Sequence, residues 1–131
     1  MKKILLDTNA YSRYLKGDLD VLNILGSADI VYMSIFVLGE LFTGFKGGEK
    51  EKDNINNLYS FLNKPAVNVL NGTIETSEIF GMIKHNLKIK GVPLPINDIW
   101  IAAHTLESGS VLITYDGHFK SIENIRLWDK V

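Results

Sequence analysis

"KKILLDTNAY", residues 2–11, is the stretch on which the reading of this chain turns. Ile4, Leu5 and Leu6 form an unbroken apolar run, and Asp7, Thr8 and Asn9 follow it without a spacer. A short run that is apolar at every position suits a strand covered on both faces of a sheet. The chain leaves that strand at a carboxylate. Asp is also a common turn former and helix N-cap, so Asp7 taken alone is equally well a structural residue.

The rest of the chain alternates strand and helix signals around that first strand. Thr8 to Lys16 and Asp18 to Gly26 read as two short helices, separated by Gly17 and with Asp18 as an N-cap. "DIVYMS" reads as a second strand, and Ser34 is placed to cap a helix running through Phe45 and ended by "KGGE". Lys50 to Leu62 carries Ile55, Leu58, Tyr59 and Leu62 at helical spacing. "AVNVL" is a third strand, Thr73 to Lys90 the longest helical pattern, and "GVPLP" its break. Asn97 is positioned to cap a further helix that ends before Gly109, "VLITY" is a fourth strand, and "IRLW" reads as a fifth.

This alternation predicts an α/β fold with a mainly parallel central sheet of about five strands flanked by helices. No repeat, low-complexity tract or linker interrupts it, so residues 1–131 read as a single domain. Hydrophobic residues make up 46% and charged residues 22%, the balance of a soluble globular protein. The longest apolar stretch, "IVYMSIFVL", is too short to span a bilayer, and the run before Asp7 is too short for a secretory signal. The absence of cysteine rules out disulfides and thiolate zinc sites and fits a reducing, cytoplasmic setting. A formal net charge of −1 argues against a generic nucleic-acid coating protein, although bound divalent cations would reverse that sign.

In open sheets of this class, ligands sit beyond the carboxyl ends of the strands. That rule draws attention to Asp7 and to Asp116, because "VLITYD" again ends an apolar strand close to a carboxylate. Asp116 is otherwise half of an Asp-Gly turn signal. Thr114 beside it is either an ordinary strand residue or a polar contact of the same site. Glu40 lies in "SIFVLGELFTGF", with Phe36, Val37, Thr43 and Gly44 as helical neighbours, and a carboxylate held there needs a partner. Asp98 opens a helix, where it complements the dipole, but "PLPIN" before it and Ala102 and Ala103 after it allow close packing. If the fold gathers these acids, their mutual repulsion calls for a hard cation with oxygen ligands, for which Mg²⁺ or Mn²⁺ is suited. Among the histidines, His118 reads as incidental after a turn, His104 as a packing or surface residue, and His85 carries no signal.

"LLDTNAY", "SIFVLGEL" and "PINDIWIAAHTLESGSVLITYDGHF", taken in order along nearly the whole chain, resemble the PIN-domain family, and within it the VapC-type toxins. The resemblance implies a three-layer nuclease domain and a Mg²⁺-dependent endoribonuclease, with Mn²⁺ as an alternative ion. It assigns Asp7, Glu40 and Asp98 to the three core acids, Asp116 to the more variable fourth, and Thr114 to its polar companion. Asn9 and Ser34 match positions that assist such sites. It further implies an RNA substrate, a small antitoxin lying over the groove, and a homodimer. Phe36, Leu41, Phe42, Phe45, Tyr11 and Tyr14 are either groove or ordinary core.

Two other readings use the same residues. An aspartate-based phosphotransfer enzyme would want a second acid two residues after Asp7, where Asn9 stands, or a phosphoacceptor in "AVNVLNG", which has none. A catalytically silent RNA- or protein-binding module is the alternative that keeping all four acids argues against.

Overall fold

Ile4, Leu5 and Leu6 lie in β1 (Lys3–Leu6) with no surface exposed to solvent. The computed structural model describes residues 1–131. β1 occupies the interior of a four-stranded sheet ordered β3-β2-β1-β4, with β2 at Ile30–Ser34, β3 at Val67–Leu70 and β4 at Val111–Ile113. Every pairing is parallel: Leu5 lies opposite Tyr32 on one side and Leu112 on the other. Parallel strands demand covering helices on both faces, which is why Ile4, Leu5 and Leu6 are apolar without interruption. They also bring all four carboxyl ends to one edge.

Several helices open on a local capping signal. Asp7 caps α1 (Thr8–Leu15), Asp18 caps α2 (Leu19–Ser27) and Ser34 caps α3 (Ile35–Phe45). α4 (Glu51–Leu62) precedes β3. Thr73 and Thr76 cap α5 (Ile74–Lys90) reciprocally, and Gly91, at φ 72°, ends it in the left-handed region that favours glycine. α6 (Ile96–Ser108) packs along α5 and leads into β4. Tyr11 and Leu41 belong to the buried core, whereas Phe36, Phe42 and Phe45 are only partly buried against it.

Two details differ from expectation. Asn97 does not cap α6; Pro95 does, because its carbonyl already accepts from the N–H groups of Asp98 (3.1 Å) and Ile99 (3.3 Å). Residues 125–128 do not form a fifth strand either. A single parallel bridge joins Leu127 to Leu112, with Leu112 N–H donating to the Arg126 carbonyl at 2.8 Å and Trp128 N–H to the Leu112 carbonyl at 3.2 Å. The next acceptor along the ladder is the Thr114 carbonyl, and the Trp128 indole takes it at 2.5 Å. Side chain thus replaces backbone, and the strand stops.

Candidate metal and active site

Asp7 is only 6% exposed, and both of its oxygens are engaged. Oδ1 accepts the Ala10 N–H at 2.8 Å, the N-cap bond of α1, and Oδ2 accepts the Thr114 hydroxyl at 2.5 Å. The capping role and a role in a site therefore coexist. Burial pushes the Asp7 carboxyl above its ordinary range, the bonds from Thr114 and Ala10 oppose that rise, and the charges of Asp98 and Asp116 add to it.

Thr114 is the joint between two strand exits. While its hydroxyl donates to Asp7, it accepts the Asp116 N–H at 3.0 Å. Asp116 in turn caps the 3₁₀ turn Gly117–Ser121 by accepting the His118 N–H at 3.1 Å. That tight turn swings the imidazole back between two acids: Nδ1 lies 2.9 Å from Asp116 Oδ1 and Nε2 lies 2.7 Å from Asp98 Oδ2. One ligand atom each from Asp98, Asp116 and His118 falls within 4.8 Å of the others. His118 is therefore not incidental. Its signal, an Asp-Gly-His turn after an apolar strand, reads as a loop until Asp98 is folded against it.

Asp98 sits in the first turn of α6. Burial raises its carboxyl too, with the His118 hydrogen bond and charge pulling it down and Asp116 pushing it up. Glu40 is half-buried on α3, and its required partner proves to be Thr8, whose hydroxyl donates at 2.9 Å. Thr8 directly follows Asp7, so α3 is tied to the same strand exit. Nothing in the sequence marks Thr8, because a threonine at the first position of a helix is unremarkable.

Asn9 is exposed on α1. Ser34 is fully buried and occupied elsewhere: its Oγ accepts the Phe36 N–H at 3.2 Å and lies 2.7 Å from His104 Nδ1. His104, 1% exposed, is a core residue of α6 whose ring joins the start of α3, and burial lowers its basicity. Gly72, at φ 99°, lies against its other face; a Cβ there would stand 3.6 Å from Nε2. Ser34→Ala removes a cap and orphans His104 Nδ1, so we expect a loss of about 2–3 kcal/mol in urea unfolding.

Several carboxylates near one another, one of them buried, are costly without a cation. Asp98, Asp116 and His118 offer ligand atoms within reach of one ion, a set of two carboxylates and an imidazole that fits a hard divalent ion better than a thiophilic one; Asp7 and Glu40 lie outside that group.

The PIN domain family matches residues 4–125. Ribonuclease VapC2 of Rickettsia felis is 28% identical over 133 aligned positions, covering 96% of this chain and 98% of that protein. Ribonuclease VapC1 of Haemophilus influenzae strain R2866 is 30% identical over 77% of this chain and 75% of its own length. Among solved structures, VapBC-1 from nontypeable Haemophilus influenzae superposes with a TM-score of 0.86 at 27% identity, covering 98% of both chains. VapBC2 from Rickettsia felis, solved on a promoter DNA fragment, superposes with a TM-score of 0.82 at 25% identity, covering 97% of this chain and 99% of that one. The parallel sheet, the acids at its carboxyl edge and these matches agree: the chain belongs to the PIN domain family.

Proposed function

We propose that this protein is a divalent-metal-dependent endoribonuclease and the toxin of a toxin–antitoxin pair. The observation that carries the proposal is Asp7: a buried carboxylate at the exit of an interior parallel strand, with Asp98 and Asp116 close enough to raise its proton affinity. The ribonuclease names of the relatives and the VapBC assemblies of the structural neighbours support it. Residues 1–131 are read as one nuclease domain.

In this reading Asp7, Asp98 and Asp116 hold the ion, Mg²⁺ or Mn²⁺, and Glu40 completes the acidic set from α3. A bound divalent ion supplies Lewis-acid stabilisation of phosphate charge and lowers the pKa of water that attacks phosphorus. The protein's own residues set the geometry. Thr114 fixes the Asp7 carboxylate through Oδ2, Ala10 fixes it through Oδ1, and Thr8 orients Glu40. His118 spans Asp98 and Asp116, at 2.7 Å from one carboxylate and 2.9 Å from the other, and fixes their orientation. The scissile bond is an RNA phosphodiester, and the leaving group is the 3′ oxygen.

Partners in this reading are RNA, a small antitoxin and a second copy of the chain, and the setting is the cytoplasm. No helix is long and apolar enough to cross a membrane.

The test is metal removal. Protein stripped with EDTA and freed of chelator is expected to lose RNA cleavage by about 10³-fold, the equivalent of about 4 kcal/mol of transition-state stabilisation. Mg²⁺ or Mn²⁺ should restore it. Cleavage that persists in EDTA would sink the proposal.

A further inference from the structure

The acidic edge repels the polyanion it is proposed to cut, so the substrate needs a foothold elsewhere. A cavity of about 310 Å³ opens where α5 ends and α6 begins, and no carboxylate lines it. Leu87, Val92, Leu94 and Ile99 provide apolar wall, and Lys84 and Lys88 stand at its rim. The wall is built by the end of α5: Gly91 turns left-handed and the Val92 N–H bonds back to the Leu87 carbonyl at 3.0 Å, folding the connecting loop over the helix. Ile99 is the residue after Asp98, so the cavity adjoins the helix turn that delivers an acid to the site.

The two lysines differ from their neighbour. Lys90 is engaged, 3.4 Å from Glu123 and donating to the Ser121 carbonyl at 3.1 Å. Lys84 and Lys88, one helical turn apart on the same face, are exposed and make no ion pair. Two free cations flanking an apolar slot combine what a single-stranded nucleic acid presents: phosphate charge on a flexible backbone and flat, poorly hydrated bases. The volume is at the small end of organic-ligand sites and suits one heterocycle.

We propose that this cavity is an RNA subsite, in which one unstacked base of the substrate lies against Leu87, Val92, Leu94 and Ile99 while Lys84 and Lys88 contact the flanking phosphates. It rests on the ribonuclease reading and names where the strand is held beyond the acids. A flipped-out base gains from apolar walls as well as aromatic ones, and the lysines add affinity independent of sequence.

The experiment measures binding rather than cleavage. Asp7→Asn protein in Mg²⁺ is titrated into a fluorescein-labelled single-stranded oligoribonucleotide across a range of KCl concentrations. Adding Lys84→Ala and Lys88→Ala is expected to weaken binding about tenfold at low salt and to flatten the log–log salt slope by about 1.4, two contacts at about 0.7 each. Val92→Trp, which fills the cavity and keeps both charges, is expected to weaken binding about tenfold with the salt slope unchanged. Thermal melts establish that each variant is folded. Unchanged RNA affinity in either variant overturns the subsite. Poly-glutamate is titrated in parallel: weaker poly-glutamate binding with RNA binding intact would assign the cavity to an acidic protein segment and overturn it too. Undiminished cleavage by the Asp7→Asn protein itself would remove the nuclease reading, and the binding result would stand apart from it.

Discussion

Asp7→Asn is expected to reduce RNA cleavage by about 10³-fold while making the metal-free protein more stable. The rate effect follows from the loss of a carboxylate ligand; removing a group that merely supports a ligand already costs about 10–100-fold. Asn is nearly isosteric and still caps α1 through its side-chain oxygen, so the fold should survive. The stability effect follows from the raised proton affinity of Asp7. A carboxyl whose folded pKa lies above its unfolded value of 3.8 is destabilising when charged. That cost is full above the folded pKa, declines as pH falls through it, and is gone below the unfolded one. Asn carries no such cost at any pH. Thermal melts in EDTA should therefore show the variant above wild type at pH 7, with the gap closing as the pH is lowered. Adding Mg²⁺ should raise wild type more than the variant. A variant that cleaves like wild type, or a gap that widens in acid, would contradict the placement of Asp7.

Trp128→Ala should produce the largest loss of stability, about 3–5 kcal/mol in urea unfolding. The side chain is 7% exposed, meets Tyr115 edge-on with ring centroids 5.2 Å apart, and donates its indole N–H to the Thr114 carbonyl. Trp128→Phe keeps most of the packing and loses that hydrogen bond, so its cost should be nearer 1–2 kcal/mol. Because Thr114 holds Asp7 and Asp116 together, both variants should also bind Mn²⁺ more weakly, the Ala variant more so. If the Phe variant equals wild type in both measurements, the indole bond contributes nothing.

The parallel sheet was legible because its signals are local: an all-apolar run at residues 4–6, capping residues after strands, glycines after helices. Glu40 stood out as a carboxylate among apolar helical neighbours, whereas Asp7, Asp98 and Asp116 each kept a cap, dipole or turn reading until the family resemblance joined the four. Their neighbours were not. Thr114 meets Asp7 across 107 residues of sequence, and Ser34 meets His104 across 70. No periodicity reports such a contact. His118 was missed for a related reason, since its meaning lies in Asp98 on another helix. Trp128 misled in the opposite direction: "IRLW" has strand composition, yet its aromatic side chain takes the acceptor that a further backbone bond needed.

The strand order has a consequence for synthesis. β1 emerges from the ribosome first, but one of its two neighbours in the sheet, β4, is translated more than a hundred residues later. Until then one edge of β1 is unpaired, Asp7 lacks the Thr114 hydroxyl, and Asp116 and His118 do not yet exist. Contacts of such sequence separation are the slowest to form, because a long loop must close before they gain anything. A nascent chain thus lacks the partners that gather at this sheet edge for nearly the whole of its translation.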